Sequence, residues 1–346
     1  MRRPPTYAHG PHHARPAAIL VRASRRRRAA RLALLLIGIA ILLALAVHLL
    51  TGTSAPRTAP GSVAGTGGEG QAPRQVVPPA TALSTGITPR ACLTFAPLRG
   101  NLHHIVFIDP GHGGLDPGAS GTTSNGTTIW EKNVTLAVGL DLSTLLRNQG
   151  YTVVLARDSD SLVTRTLQGD LNGKLLTAAG EHRDLVARVA CANAAHAQAL
   201  VAIHFDAYSD PSVNGAETLY DNARPFSTAN RRLANLAQAD VVARLRAAGW
   251  AVPDRGVIDD LTADTLALTN EGTVYGHLLE LGPAASGWLK YPSAMPGIVT
   301  EPLFLTHPAE ADVASSAQGQ QTIADGLARA INAFFAAPAK GTGTSG

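Results

Sequence analysis

The stretch FIDPGHGGLDPGASG, residues 107–121, leaves a short apolar run and enters a loop in which five glycines surround one histidine, His112. Glycine allows a backbone to pass close to a ligand. The common phosphate-binding patterns are not present here, because neither Gly-Lys-Ser/Thr nor G-x-G-x-x-G opens the helical run that follows. The loop therefore directs attention to His112, whose partners must come from other parts of the chain.

Apolar strand-like runs and longer helix-like runs alternate around this loop. Short runs rich in β-branched residues predict strands at 104–110, 151–156, 199–207, 215–220 and 296–306. Helical periodicity predicts helices at 131–150, 181–198, 228–249 and 319–335. This order predicts an α/β fold with a twisted, mostly parallel sheet and helices on both faces. The remaining segment, 251–295, is irregular and rich in turn residues.

The N-terminal part has a different composition. Five arginines, at 25–28 and 31, precede a run at 32–50 that is apolar except for His48 and is long enough to span a bilayer as a helix. Such arginines stay in the cytoplasm. We therefore predict a cytoplasmic basic segment at 1–31 and a transmembrane signal anchor at 32–50, in a single-pass cell-membrane protein with an extracytoplasmic domain. The alternative is a cleaved signal peptide, which leaves the same domain secreted.

Two further segments are too polar and small-residue-rich to form a core. Residues 51–91 and 338–346 are predicted to be a disordered linker and a disordered tail, and 92–337 to be one folded domain. Residues 1–90 carry 12 Lys and Arg and one acid, whereas 91–346 carry 17 Lys and Arg and 24 acids. The folded domain is therefore acidic and lacks the clustered positive charge that nucleic-acid binding requires.

The chain contains two cysteines, Cys92 and Cys191. Both lie on the side predicted to be exported, where disulfides form. A Cys92–Cys191 disulfide would attach the start of the folded domain to a helix. Two unpaired buried thiols are the alternative.

Polar side chains occur where two predicted strands end and where a helix begins. The first strand leads to His112, the third leads to His204, and Glu131 opens the first helix. An acid in a first helical turn can simply complement the helix dipole. However, ligands bind beyond the carboxyl ends of parallel strands, where these side chains are expected to converge. Two imidazoles and one carboxylate, with a position open for water, are typical of catalytic zinc, so we predict one Zn²⁺ per domain.

Glu301 interrupts the last apolar strand, between Ile298–Val299 and Leu303–Leu305. A carboxylate in such surroundings is costly unless it is paired or takes part in chemistry. A glutamate beside a zinc-activated water is the usual general base of a metallohydrolase. We therefore predict that Glu301 is catalytic. Neither G-x-S-x-G nor H-E-x-x-H is present, which disfavours a serine hydrolase and that class of zinc peptidase.

The stretches that carry these residues resemble the zinc-dependent N-acetylmuramoyl-L-alanine amidases of bacterial cell-wall turnover, the amidase type-3 family. They follow the family's order through nearly the whole of 103–336 and read IVFIDPGHGGLDPGASG, EKNVTLAVGLDLSTLLRNQGYTVVLAR, RVACANAAHAQALVAIHFDA, GAETLY and PGIVTEPLFLTHPAEADV.

The resemblance implies a fold, a site and a reaction. The implied fold is a twisted, mostly parallel six-stranded sheet flanked by helices. His112, Glu131 and His204 fall on the family's zinc ligands, and Glu301 falls on its catalytic glutamate. The implied reaction is hydrolysis, in peptidoglycan or muropeptides, of the amide between the lactyl group of N-acetylmuramic acid and L-alanine of the stem peptide. We expect a monomer.

Two stretches depart from the family pattern. Phe205 and Asp206 follow His204 where the family usually has Ala-Asn, and 302–304 reads Pro-Leu-Phe where Gly-Phe is usual. The second change resembles actinobacterial, mycobacterial-type members, which also carry a paired cysteine. Neither change removes a predicted ligand or catalytic atom.

Several residues have competing interpretations. Glu280, in HLLELGP, also mimics the family pattern, but only Glu301 is followed by the THPAEAD turn and the closing helix. Asp109 is interpreted as a strand-end residue that orients the loop, and Arg157 and Arg188 as structural or substrate-binding residues. Four other histidines are interpreted as loop or surface residues: His103, His104, His277 and His307.

Two other functions are compatible with parts of this pattern. A zinc peptidase that cuts within the stem peptide would share the machinery but attack another bond. A non-catalytic wall-binding regulator would be expected to have lost a ligand, whereas all four predicted positions are present.

Overall fold

The described part of the chain alternates strands and helices. The computed structural model describes residues 72–79, 82–83, 86–262 and 275–336. The strands are β1 (Arg74–Gln75), β2 (Ala91–Phe95), β3 (Ile105–Pro110), β4 (Ser120–Thr122), β5 (Thr128–Trp130), β6 (Thr152–Arg157), β7 (Leu171–Asn172), β8 (Leu175–Leu176), β9 (Ala199–Ile203), β10 (Ala216–Tyr220), β11 (Asp254–Asp259) and β12 (Gly297–Glu301). The α-helices are α1 (Glu131–Asn148), α2 (Ala178–Ala194), α3 (Ser227–Ala247), α4 (Pro308–Ser315) and α5 (Ala317–Ala336).

Eight of these strands form one sheet in the order β1-β2-β6-β3-β9-β12-β10-β11. The four central strands, β6, β3, β9 and β12, are parallel to one another. On one side, β2 is antiparallel to β6 and β1 is antiparallel to β2. On the other side, β10 is antiparallel to β12, and β11 is parallel to β10. The predicted α/β class with a mostly parallel sheet is confirmed.

Alternate side chains of the central strands enter two different cores. In β3, Val106 and Ile108 join a large cluster that includes apolar residues of α1, α3, α4 and α5. Phe107, between them, points to the other face and packs in a second cluster with Ala187 and Cys191 of α2. Both faces of the central strands are therefore covered, which explains why their sequences are continuously apolar rather than alternating.

The sheet has eight strands, whereas the family resemblance implied six and sequence patterns located only five: β3, β6, β9, β10 and β12. The sixth strand is β2, and two strands are additional to the implied six. One addition is β11, which comes from the segment that the sequence analysis treats as irregular and which pairs with β10 along its whole length. The other is β1, which lies before the predicted domain start at residue 92. The Gln75 side chain donates to the carbonyls of Thr88 and Ala91, and this anchors β1 beside β2. Such short edge strands carry little hydrophobic periodicity, so sequence patterns do not reveal them.

The predicted disulfide between Cys92 and Cys191 is present. Cys92 lies in β2 and Cys191 lies in α2, their Cα atoms are 5.6 Å apart, and both residues are completely buried. The bond links positions separated by 99 residues. Closing a loop of this length typically stabilises a domain by about 2–4 kcal/mol. It fixes α2 against the antiparallel edge of the sheet.

The predicted cytoplasmic segment, the transmembrane helix at 32–50, most of the linker and the C-terminal tail lie outside the described residues. Among the helices that the structure does describe, none combines the length and the hydropathy needed to cross a bilayer.

Candidate functional site

The carboxyl ends of three neighbouring parallel strands meet at one edge of the sheet. Pro110 at the end of β3 pairs with Ile203 at the end of β9, and Thr300 near the end of β12 pairs with the same residue. His112 and His204 follow β3 and β9 within two residues, and Glu301 is the last residue of β12. The fold therefore brings these positions together, as expected for a parallel sheet.

Three of the predicted residues form one compact group, here named the ligand cluster: His112, Glu131 and His204. Their ligand atoms all lie within 4.8 Å of one another. Glu131 bridges the histidines, with Oε2 at 3.1 Å from Nε2 of His112 and Oε1 at 3.1 Å from Nδ1 of His204. The two rings meet edge to face at a centroid distance of 4.8 Å. This arrangement can hold one metal ion.

Glycines in the loop after β3 make room for this cluster. A Cβ atom at Gly111 would lie 2.4 Å from the His204 ring. A Cβ atom at Gly118 would lie 2.6 Å from Oε2 of Glu131, and Gly118 also has a positive φ of 64°. These two loop glycines therefore allow the backbone to pass close to two of the side chains that could bind metal.

Asp116 orients His112, a role that the sequence analysis missed. Its Oδ2 atom lies 2.8 Å from Nδ1 of His112, which leaves Nε2 directed at the cluster. Metal-binding histidines commonly have such a carboxylate on the second ring nitrogen. His112 also has a φ of 61°, an unusual backbone conformation for a residue other than glycine and one often found at functional sites. The position of Asp116 four residues after His112 is a signal that could have been read from sequence.

Electrostatics within the cluster favour an ionised carboxylate. Burial lowers the pKa of the His112 imidazole, but the carboxylates of Glu131 and Asp116 outweigh burial and raise this pKa to about 10. Burial raises the pKa of Glu131, but the two histidines outweigh it and hold the pKa well below its usual range. A divalent cation at these atoms would compete with the proton held by His112, so its binding would release that proton.

Two buried arginines hold the loop in place. Arg188 donates to Asp109 at 2.5 Å, to Asp184 at 2.9 Å and to the carbonyl of His112 at 2.7 Å. Arg157 donates to several main-chain carbonyls of the same region, including those of Pro110 and Gly111. These contacts give both arginines a structural role, and they confirm that Asp109 helps to orient the loop.

Glu301 and its alternative, Glu280, both line the pocket that contains the ligand cluster, whose volume is about 350 Å³. Glu301 is half-buried, and its Oε2 atom is shielded from solvent and has no hydrogen-bond partner in the described part of the chain. Burial, together with the carboxylates of Asp206 and Glu131, raises the pKa of Glu301 well above its usual range. Glu280 is only 4% exposed. Its pKa is also raised, by burial and by the neighbouring carboxylate of Asp109.

The pocket also includes acids that the sequence analysis did not assign to it: Glu181, Asp184 and Asp206. The four additional histidines have separate environments. His103 is exposed, and His307 accepts a hydrogen bond from the Glu310 amide at the start of α4. His277 was interpreted as a loop or surface residue. It lies in a loop, in agreement with that interpretation, and its side chain is only 12% exposed and contacts Asp221.

The family model described as N-acetylmuramoyl-L-alanine amidase (Amidase_3) matches residues 106–333. The chain is 29% identical over 245 residues to the N-acetylmuramoyl-L-alanine amidase AmiA of Escherichia coli K12, covering 67% of this chain and 76% of that protein. It is 28% identical over 253 residues to the N-acetylmuramoyl-L-alanine amidase AmiC of Neisseria meningitidis serogroup B, covering 68% of this chain and 54% of that protein.

A similar fold occurs in the CwlD amidase from Clostridioides difficile, solved in complex with the GerS lipoprotein. The TM-score is 0.50 at 21% sequence identity, and the match covers 67% of this chain and 98% of that one. At this identity, the similarity concerns the fold alone.

Proposed function

We propose, from the premise that this chain belongs to the N-acetylmuramoyl-L-alanine amidase family, that it is a zinc-dependent enzyme with Glu301 as its catalytic base. As a peptidoglycan amidase, it cleaves the bond between the lactyl group of N-acetylmuramic acid and L-alanine of the stem peptide. The observation that carries the proposed mechanism is the convergence of His112, Glu131 and His204 in the pocket that Glu301 also lines.

The ligand cluster fits zinc better than it fits magnesium or calcium. Two imidazole nitrogens and one carboxylate oxygen are a usual catalytic zinc set, whereas magnesium and calcium prefer oxygen ligands alone. The Asp116 carboxylate supports His112 in the manner typical of zinc sites. When bound, zinc polarises a carbonyl and lowers the pKa of a water molecule.

Glu301 is suited to transfer a proton from the attacking water to the departing nitrogen. It accepts a proton from the attacking water as the water oxygen adds to the amide carbon. It then delivers that proton to the departing nitrogen, which leaves a lactyl carboxylate and the free amine of L-alanine. Its position at the end of β12 supports this role, because the His204 amide donates to the carbonyl of the preceding residue, Thr300, at 3.0 Å.

Glu280 is less suited to this role. It is almost completely buried next to Asp109, and neither Glu280 Oε1 nor Asp109 Oδ2 has a hydrogen-bond partner within the described ranges. Burial and the Asp109 carboxylate raise the pKa of Glu280, while Arg188 holds the pKa of Asp109 below its usual range despite burial. The pKa of Glu301 is raised as well, so the two glutamates differ in access: Glu280 is enclosed beside Asp109, whereas Glu301 is half-buried and can exchange a proton with water in the pocket.

Mass analysis of purified muropeptides after digestion tests the reaction. We expect intact stem peptides that begin with L-alanine, and no stem peptide shortened within its own sequence. Shortened peptides that remain attached to N-acetylmuramic acid would show a zinc peptidase instead. A lack of any product, with zinc bound, would support a non-catalytic wall-binding regulator.

Metal removal tests the site. Chelation is expected to abolish product release, and added zinc to restore it, because the proposed chemistry requires the ion. His112→Ala should lose this metal, as measured by atomic emission, whereas His196→Ala, a change at an exposed histidine, should keep it. Full metal content and activity in His112→Ala would contradict the assignment.

We also propose that residues 32–50 anchor a monomeric enzyme in the cell membrane, with the catalytic domain outside the cytoplasm. The arginines before this apolar run and the disulfide within the domain support this topology. The domain is expected to stay in the membrane pellet after alkaline carbonate extraction. Leu43→Arg should weaken insertion, since a charge near the bilayer centre costs about 2.5–3.5 kcal/mol. Recovery of a shortened soluble chain would indicate signal cleavage instead.

A further inference from the structure

A second group of potential ligand atoms lies at the end of β10 and β11. Asp221 directly follows β10, and Asp260 directly follows β11. These strands are parallel, and Tyr220 pairs with Asp259, so the two acids emerge side by side. His277 completes the group, which is named here the Asp-Asp-His cluster. Because β10 is antiparallel to β12, with Glu217 paired to Glu301, this cluster lies at the opposite end of the sheet from the ligand cluster.

One oxygen of each carboxylate is fixed by a main-chain amide, and the other is left for a shared partner. Ala223 donates to Oδ1 of Asp221 at 2.6 Å, and Leu278 donates to Oδ2 of Asp260 at 2.9 Å. The remaining atoms, Asp221 Oδ2, Asp260 Oδ1 and His277 Nδ1, are buried and have no hydrogen-bond partner among the residues that the structure describes. A carboxylate oxygen of each acid and a ring nitrogen of the histidine all lie within 4.8 Å of one another.

The contacts of His277 are within ion-pair distance but lack hydrogen-bond alignment. His277 Nδ1 is 2.6 Å from Asp221 Oδ2 and 3.6 Å from Asp260 Oδ1, yet neither contact is a hydrogen bond. An imidazolium would direct its N–H along the line to a carboxylate oxygen. Three lone-pair donors around one point instead match the coordination of a cation.

The buried charge also requires compensation. Asp221 is fully buried and Asp260 is 2% exposed, and two adjacent carboxylates without a counter-charge are costly. Arg224 lies nearby, but its guanidinium donates to the carbonyls of Leu281 and Gly282 and to Ser293. A divalent cation would neutralise both acids at once.

The geometry points to a second metal site, of the zinc type, formed by Asp221, Asp260 and His277. A nitrogen ligand among carboxylates suits zinc, whereas calcium takes six to eight oxygens. This site does not perform the amidase reaction. It attaches the segment that follows His277 to the ends of β10 and β11. Leu278, Leu279 and Glu280 of that segment line the catalytic pocket, so the metal would hold one wall of the pocket in place.

Zinc content of the full-length protein tests the site. Protein without an added histidine tag is stripped of metal with a chelator and then equilibrated with zinc. Excess zinc is removed, and the zinc that stays bound is measured by elemental mass spectrometry. Relative to the parent, His277→Ala and His112→Ala are each expected to lose one zinc per chain, and the double variant to lose two. His196→Ala serves as the control for removal of a histidine, and it should match the parent. Comparison between variants cancels any zinc held by other histidines.

Asp260→Asn provides a second measurement if His277→Ala does not fold. The change is nearly isosteric, and loss of a ligand should weaken zinc binding by more than the ~10–100-fold that loss of a supporting partner costs. Cobalt added to His112→Ala should give an absorption spectrum of the bound ion that disappears in the His112→Ala/His277→Ala double variant.

Unchanged zinc content and affinity in both His277→Ala and Asp260→Asn would overturn the proposal and leave an unusual buried ion pair. Uptake of calcium but not zinc would also overturn it. Loss of zinc in His277→Ala but not in His112→Ala would support this site and contradict the proposed catalytic one, so the two failures are distinguishable.

Discussion

Two groups of charged side chains lie side by side around the pocket and differ in their access to solvent. The ligand cluster keeps its two histidine side chains 17–19% exposed, at the open side. The other group, here named the buried ion-pair cluster, contains Asp109, Asp184, Arg188 and Glu280. Its members are 0–4% exposed, and Arg188 pairs with two of its acids.

This difference shows that residue type does not decide chemical role. Both groups contain buried carboxylates whose pKa values are shifted by burial and by neighbouring charge. In the buried ion-pair cluster, the charges satisfy one another and hold the loop that carries His112. In the ligand cluster, the same types of group face a cavity that can admit a metal, water and substrate. Solvent access and the available partners therefore distinguish a group that can bind a metal from one with a structural role.

The sharpest test of this comparison replaces one glutamate from each side of the pocket. Glu301→Gln is expected to lower turnover by about 10²–10⁴-fold, because general acid–base catalysis is lost while the zinc ligands remain. Glu280→Gln is the matched control and should stay close to the parent, since glutamine resembles the protonated acid. The measurement is release of stem peptide, with metal content determined in parallel. An inactive Glu280→Gln together with an active Glu301→Gln would reverse the assignment.

A smaller effect is expected when the support of the ligand cluster is removed. Asp116→Asn keeps the shape of the side chain but loses the charge that orients His112, and metal affinity should fall about 10–100-fold. Competition with a chelator of known affinity measures this change. Asp160→Asn is the control, because Asp160 contacts Gly114 and Lys132 of the same region. Equal affinities in the two variants would show that Asp116 does not support the ligand.

The smallest expected effect concerns the buried ion-pair cluster and appears in stability. Folding raises the pKa of Glu280, so its contribution is fully present below its unfolded pKa of about 4.3 and is lost as pH rises through the folded value. Glu280→Gln removes this dependence. The variant should therefore gain stability relative to the parent as pH rises above about 5, which thermal unfolding across a pH series can measure. Parallel curves for the two proteins would show that Glu280 is not protonated in the fold.

Local sequence was sufficient for the main architecture. Continuous apolar runs identified the central strands, because both faces of β3, β9 and β12 are covered. The polar residues that end these runs then indicated a site at the carboxyl edge of the sheet. Glu131 was also identifiable, since it opens the helix directly after the glycine loop.

Other features had no local signal. The strands β1, β2 and β11 were not located from sequence patterns, and the sheet was predicted with six strands rather than eight. Of these three strands, β11 lies within a turn-rich segment. The proximity of Glu280 to the catalytic pocket was also not evident, because its loop returns to the sheet from a segment without periodicity. Sequence patterns report which residues are buried, but they do not report which distant segments bury them.

The sequence by itself determined the α/β class and the identity of the potential zinc ligands, whereas the choice between a disulfide and two free thiols was made by the structure. Only the tertiary structure decided that Asp116 orients His112, that Arg188 joins Asp109 to Asp184, and that β10 runs antiparallel to β12. The antiparallel direction of β10 places the Asp-Asp-His cluster and the ligand cluster at opposite ends of the sheet. The physical reason is that strand direction and long-range pairing depend on the packing of the whole sheet, whereas polarity and periodicity are properties of each segment alone.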